Sequence, residues 1–469
     1  MNLRYNICKQ GLCALFLSAT LCSSLSAQEL RTSYFMGSTT TRSLMNPAFQ
    51  PERGYVSIPA LGGINASYGT NGVAVDNFIY PLGNKTVTFL DPSVNTEAFL
   101  NGLNDENQVN MDLGVQVLSA GWYAGKGFWN VDISVKSLAN VRVPKTLFEF
   151  MKRGNGSQNT YDIRNIQAYA EAYIETGVGY SRPINDKLTV GGKLNLLWGV
   201  GSINGQIDRM YAEMDENQWK VTSTGTVQAN MKGLVPEMKQ DAEGREYYDS
   251  FDFDSPGLSG FGFGVDLGAT YQLTDDITLS AAVLDLGFMS WNKSGSTVGH
   301  LDGTVDFDGF DIAFGDNPNN IPSVGDQFDQ IKDDFEDLIH LKEGEAKGST
   351  TRLRSTLNIG GEYRMFDKKL GFGLLSTTRF YSPKAYTELT LSANYRPVKW
   401  FEVTASYSFI HSKFKTYGFA LNFSPKFINF FIGSDYMFTK VTPQFLPVSA
   451  NAMNLHLGIS VPLRSVAKN

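Results

Sequence analysis

Apolar and polar residues alternate with period two along most of the chain, the mark of strands with one face of each kind. In residues 128–143, Trp129, Val131, Ile133 and Val135 share one face, while Asn130, Asp132, Ser134 and Lys136 share the other. Residues 167–180 set Ala168, Ala170, Ala172, Ile174 and Val178 against Gln167, Tyr169, Glu171, Tyr173 and Glu175. Residues 188–198 oppose Leu188, Val190, Leu194, Leu196 and Trp198 to Thr189, Lys193 and Asn195. Phe261, Phe263, Val265 and Leu267 likewise oppose Gly262, Gly264, Asp266 and Gly268, and near the end Leu455, Leu457, Ile459 and Val461 alternate with Asn454, His456, Gly458 and Ser460.

Six connections between these segments are short: residues 125–127, 185–187, 274–276, 366–369, 396–399 and 424–426. Longer ones separate them, at 70–110, 144–163, 205–257 and 292–350. Short turns on one rim and long loops on the other are the habit of an outer-membrane barrel, with the short turns facing the periplasm. Six hairpins supply twelve strands, and residues 55–68 and 454–463 add one at each end, so fourteen are expected. An even number closes the sheet without free edges. Aromatics flank five of the six short turns, among them Trp122, Tyr123, Phe128, Trp129, Tyr271, Tyr363, Phe366, Tyr395, Trp400, Phe401, Phe423 and Phe427. Trp198, Phe380, Phe409 and Tyr436 lie about ten residues further along, one bilayer-crossing strand away. The chain therefore reads as all-β, a transmembrane antiparallel barrel of about fourteen strands, with a soluble all-β sheet as the alternative. Residues 95–103 and 145–153 read as short helices within long loops, and 326–343 as a longer amphipathic helix resting on the barrel mouth.

Composition removes other classes. Of 469 residues, 19% are charged and 13% aromatic, too few and too many for a disordered chain. The 40 basic and 47 acidic residues argue against a nucleic-acid binder. No stretch beyond residue 30 approaches the length of apolar sequence that a membrane helix needs. Residues 1–27 read as a secretory signal peptide: Arg4 and Lys9, an apolar run over 11–21, then small polar residues up to Ala27. All three cysteines, Cys8, Cys13 and Cys22, lie in that segment, so the mature chain offers no disulfide, thiolate metal site or cysteine nucleophile. His300, His340, His411 and His456 stand in no metal-ligand spacing, and no GxSxG signature occurs, so no enzyme activity, metal or cofactor is expected. Asp302, Asp306, Asp308, Asp311 and Asp316 lack the closing glutamate of a calcium loop and read as a solvated face. The polar strand faces carry both signs of charge. Asp132, Lys136, Glu171, Glu175, Lys193, Asp266, Arg354, Glu362 and His456 are the candidate lumen-lining residues, His456 as a hydrogen-bonding one.

Residues 28–54, before the first strand, contain Ser43-Leu44-Met45-Asn46-Pro47-Ala48-Phe49. This resembles the NPA element near the N-terminus of FadL-like outer-membrane barrels, in which an N-terminal segment plugs the lumen ahead of a fourteen-stranded barrel. A similar element occurs in the PorV-like and PorP/SprF-like barrels of Bacteroidota associated with type IX secretion. The stretch Leu284-Asp285-Leu286-Gly287-Phe288-Met289-Ser290-Trp291 looks like the DLGF…W element of an uncharacterised Bacteroidota family of such barrels. The resemblance implies a plug over 28–54, with Asn46, Pro47 and Ala48 in the plug or its hinge, and a barrel over 55–469. Pro47 fixes its own φ and pushes Asn46 toward extended geometry, which suits a bend there. It also implies residence in the bacterial outer membrane and uptake of small hydrophobic molecules, with Gly262, Gly264 and Gly268 leaving room in the wall or kinking it. The alternative is a non-enzymatic barrel that anchors or shuttles for a type IX-like secretion machine or a surface lipoprotein, using its long polar loops.

Overall fold

Each period-two segment pairs with the next, and the last returns to the first. The computed structural model describes residues 30–71, 77–82, 85–154, 158–215, 219–240, 244–307, 324–337, 339–381, 384–410, 414–436 and 452–463. The expected signal segment, the first two residues of the expected plug (28 and 29), Asp308, Asp311, Asp316 and His411 lie outside them. The barrel strands are β1 (Tyr55–Ser57 and Gly63–Thr70), β2 (Glu106–Ala124), β3 (Gly127–Pro144), β4 (Thr160–Pro183), β5 (Leu188–Met214), β6 (Gly260–Gln272) and β7 (Ile277–Trp291). They continue as β8 (Thr356–Met365), β9 (Leu370–Tyr381), β10 (Lys384–Val398), β11 (Phe401–Ile410), β12 (Phe414–Phe423), β13 (Asn429–Ser434) and β14 (Ala452–Pro462). All neighbours are antiparallel, and β14 closes on β1 through Tyr55↔Pro462 and Ile64↔Leu457. The six short turns join the strand pairs that the sequence assigned to them.

The wall is inside out relative to a water-soluble sheet. On β5, Leu194 is 55% exposed and its neighbour Lys193 is 6% exposed; on β6, Phe261 is 46% exposed and Asp266 is 6% exposed. Ile133, Val135, Val178, Leu374 and Leu391 are exposed in the same way. Trp122, Trp129, Tyr180, Tyr271, Tyr363, Phe366, Tyr395, Trp400 and Phe427 form an exposed aromatic ring near the short turns, with Trp129 against Tyr180 at 4.6 Å. Tyr123, Phe128 and Tyr436 depart from that assignment. Alternation turns Tyr123 and Phe128 inward beside their outward tryptophans, Phe128 stacking on Tyr55 and Tyr123 donating to Pro51 O. Tyr436 is buried with its ring under the Arg31 guanidinium.

β4 and β5 run 24 and 27 residues, far more than a bilayer crossing requires. Along them one face stays apolar while its burial reverses. Val178↔Leu194 are exposed, whereas Ala170↔Ile203 and Ile166↔Ile207 run beneath other protein, with Ile207 only 3% exposed. The cover is the helix Lys145–Arg153 and a continuation of the same sheet, which runs edge to edge from β5 through Trp219–Asn230, Ser296–Phe307, Leu341–Gly344, Glu246–Phe253 and Leu234–Gln240 and shares its apolar core. Residues 205–257, expected as a polar loop, are thus largely strand, and 292–350 holds the strands Ser296–Phe307 and Leu341–Gly344 beside the helix Val324–Asp337. The register shifts at Ala172/Tyr173 and at Ile207/Arg209 break the period that would have marked them. A separate apolar cluster joins the helix Thr96–Asn101 to Phe89, Phe78 and Phe148, and the helix Val324–Asp337 rests nearby, Gln327 Oε1 accepting from the Thr88 N–H at 3.0 Å.

Candidate functional site

The interior is filled by residues 30–54. This segment has two single-turn 3-10 helices, Arg31–Ser33 and Thr41–Leu44, and no periodic pattern; its shape comes from contacts with the wall. Asp435 of the barrel accepts from the Thr32 N–H at 2.8 Å, the Thr32 hydroxyl at 2.6 Å and the Arg31 N–H at 3.2 Å. Arg31 also pairs with Glu388. Glu402 accepts from the N–H groups of Gly37 and Ser38 and from the Ser38 hydroxyl. Tyr34 donates to Ser280 at 3.2 Å, and Tyr34, Phe35, Met45, Phe49 and Leu375 form a small apolar core.

Asn46, Pro47 and Ala48 sit at a tight turn in this segment. Asn46 Oδ1 accepts from the Ala48 N–H at 2.9 Å, and its Nδ2 donates to the carbonyls of Ala269 and Ala281, at 3.4 and 3.3 Å. The turn lies on two glycines paired across the wall, Gly191↔Gly268. A Cβ on Gly191 would fall 2.3 Å from Pro47 O. Gly268 therefore makes room for the N-terminal segment, not for a ligand, while Gly264 faces Leu353.

Above the segment, the candidate charged residues come together. Lys193 lies 3.0 Å from Asp132 and 3.2 Å from Glu175; Lys136 holds the other Glu175 oxygen at 2.6 Å. Asn195 donates to Asp266, whose second oxygen accepts from the Asp285 N–H at 2.7 Å. Glu171 accepts from Tyr169 at 2.5 Å, and Arg354 pairs with Asp112 at 3.1 Å. Lys136, Glu171, Glu175, Lys193, Asp266 and Arg354 line a cavity of about 180 Å³. Glu362 stands apart, at the short-turn end with Arg364. His456 is buried, both its ring nitrogens are without hydrogen-bond partners among the described residues, and the ring meets the Phe431 ring edge-on. The hydrogen bond expected of it is not seen among the described residues, and its contact there is with the Phe431 ring.

Further toward the loops, Tyr173, Leu197, Met289, Trp291 and Leu353 close the interior with an apolar layer. Here the DLGF…W stretch gains a structural reason. Asp285 has φ 55°, and at this bulge β7 changes partner from β8 (Leu284↔Thr356) to the short strand Ser349–Arg352 (Phe288↔Arg352), which leaves Trp291 inside. Arg31, Asp112, Arg379 and Glu402 escaped the sequence reading. Unpaired charges in residues 28–54 were the signal available, since a buried arginine demands a carboxylate on the wall.

The profile of a family of unknown function, DUF5723, matches residues 47–435. The chain belongs to this family. A search of curated proteins finds no match to this DUF5723 member. Among solved structures it is similar to the Pseudomonas putida toluene transporter TodX, at 10% identity over 90% of this chain and 92% of that one, TM-score 0.40. A Pseudomonas aeruginosa FadL homologue aligns at 10% identity over 94% and 99%, TM-score 0.42. The translocator domain of the autotransporter NalP from Neisseria meningitidis aligns at 8% identity over 88% and 90%, TM-score 0.30.

Proposed function

We propose that this protein is an outer-membrane channel for small molecules, of the FadL-like kind, held closed by its N-terminal segment. The carrying observation is the reversal of burial along β4 and β5. An apolar face left bare over Val178, Leu194, Leu196 and Trp198 calls for an apolar medium, and the same face near Ile166 and Ile207 brings its own protein cover. The bare band then lies in the bilayer, the short turns face the periplasm, and the covered extension stands outside.

The FadL resemblance favours small hydrophobic solutes. The interior supports a narrower class, an apolar body carrying one polar group, because the apolar layer at Trp291 is followed by the charged layer at Lys193. Uptake into vesicles carrying the full-length protein and a variant lacking residues 30–54 tests the reading. Faster entry through the truncated barrel is expected; equal, negligible entry through both discards the channel.

A second reading has its own support. The strand Leu234–Gln240 pairs, among the described residues, with Glu246–Phe253 alone and exposes Val235 and Met238. An open strand edge invites a partner chain, which suits an anchor or shuttle for a secretion machine or surface lipoprotein. Recovery of the barrel without a stoichiometric companion from gently solubilised membranes would count against it.

A further inference from the structure

Three carboxylates beside the N-terminal segment at the short-turn mouth, Glu52, Glu362 and Glu402, each have a donor, whereas the buried Nε of Arg42 has no acceptor among the described residues. Arg364 Nε holds Glu362 at 2.9 Å, Arg396 binds Glu52, and Glu402 takes the Gly37 and Ser38 N–H groups. Arg42 lies over the Phe49 ring at 4.2 Å, its Nε is buried without a hydrogen-bond partner, and no carboxylate among the described residues comes within ion-pair distance. The three guanidiniums converge. A methyl group on Gly37 would lie 3.7 Å from Arg42 Nη1, 3.7 Å from Arg364 Nη2 and 3.8 Å from Arg396 Nη1.

Arg42 and Arg364 open on a cavity of about 520 Å³ between the N-terminal segment and the wall. Its far side carries the hydroxyls of Thr189, Thr270 and Thr278. A guanidinium presents a planar fork matched to two oxygens, and leaving such donors buried without acceptors is costly. The cavity volume falls in the range of small-molecule sites. Glu52 and Glu362 also line it, but each is neutralised by its own arginine.

We propose that this cavity binds the oxyanion group of a small molecule, a carboxylate or a phosphate, with Arg42 taking two of its oxygens and the wall hydroxyls the remainder. The site's purpose, a last station before release at the periplasmic mouth, rests on the channel reading; binding itself does not.

The test is calorimetric titration of the purified full-length protein in detergent with benzoate, inorganic phosphate and neutral benzamide. Benzoate, phosphate or both should bind, the pair telling a carboxylate from a phosphate site, and benzamide should bind at least tenfold more weakly. Arg42→Gln should weaken anion binding at least tenfold and Arg42→Lys less. If Arg42→Gln fails to give the heat-modifiable barrel band, Thr278→Val should still weaken binding severalfold. Equal affinity for benzoate and benzamide, absence of binding, or unchanged binding in Arg42→Gln would mean that the cavity holds only water, and the proposal falls. Vesicle flux separates the two readings: binding without flux sinks the channel and keeps the site, and flux without binding does the reverse.

Discussion

The side-chain oxygen of Asn46 stands 2.1 Å from the point where a Cβ on Gly268 would sit. Plug and wall therefore exclude one another's side chains here, and the turn around Pro47 seats only on a glycine floor. Gly268→Ala should unseat this turn while leaving the barrel closed, since the cross-strand ladder Gly268↔Gly191 does not depend on the side chain. Overpacking of this kind costs about 1–3 kcal/mol. The expected outcome is faster cleavage of residues 30–54 by protease and a larger conductance in planar bilayers, with unchanged heat-modifiable mobility. Wild-type cleavage and conductance would show that Asn46 does not set the plug's position.

A second prediction concerns the far end of the plug. Asp435 accepts three hydrogen bonds from Arg31 and Thr32 and also lies 3.4 Å from the Arg31 guanidinium. Asp435→Asn keeps the shape and removes the charge, leaving a buried arginine less well compensated. Breaking one partner of a buried pair is worth about 3–5 kcal/mol, and Glu388 retains part of that here. Because Cys8, Cys13 and Cys22 all lie in the expected signal segment, a single Ser33→Cys change gives a clean reporter. Alkylation of that cysteine should be slow in the parent barrel and at least tenfold faster with Asp435→Asn. Equal rates would place the anchor elsewhere.

These anchors show where the sequence is readable. The wall was legible because alternation is local: Ile133 and Val135 against Asp132 and Ser134 declare two faces without any knowledge of a partner. The charged layer follows from the same parity, which puts Lys193, Glu175 and Asp132 on the inner face. The N-terminal segment inside the barrel carried one signal, Asn46-Pro47-Ala48. Arg31 and Arg42 lie in a segment without period, and their partners, Glu388 and Asp435 for Arg31, are hundreds of positions away. The outer extension was hidden for a different reason. Bulges at Val200 and Asp208 shift the phase of β5, so Ile203, Ile207 and Met210 no longer read as one face.

Acid should loosen the rim contact of the plug. Burial pushes the Glu52 carboxyl up, but the hydrogen bonds and charge of Arg396 outweigh it and hold the carboxyl below its ordinary value. A depressed carboxylate contributes stability above its unfolded pKa, about 4.3, and loses it as pH falls through the folded value. Glu52 is half exposed, so the contribution is at most about 1 kcal/mol. Protease sensitivity of the segment next to Glu52 should thus be flat from pH 7 to pH 5 and rise below about pH 4. Glu52→Gln should be sensitive throughout and lose the pH dependence. A rise centred near pH 6 would point to a different group.

The bare apolar band makes the most demanding prediction, because water and lipid give opposite answers for one substitution. Leu194 is exposed, and Arg in its place would be nearly neutral if that face met water, as exposed changes usually fall within about 0.5 kcal/mol. In a bilayer the same change near the midplane of a barrel costs about 2–4 kcal/mol. Asn204→Arg, on the exposed polar face of the extension, serves as the control and should be silent in either medium. Urea titration of the barrel folded into vesicles, read by heat-modifiable mobility, measures both. A loss of stability for Leu194→Arg with none for Asn204→Arg is expected. Equal midpoints for the two variants would mean that no hydrocarbon touches β5, and the channel reading would lose its support.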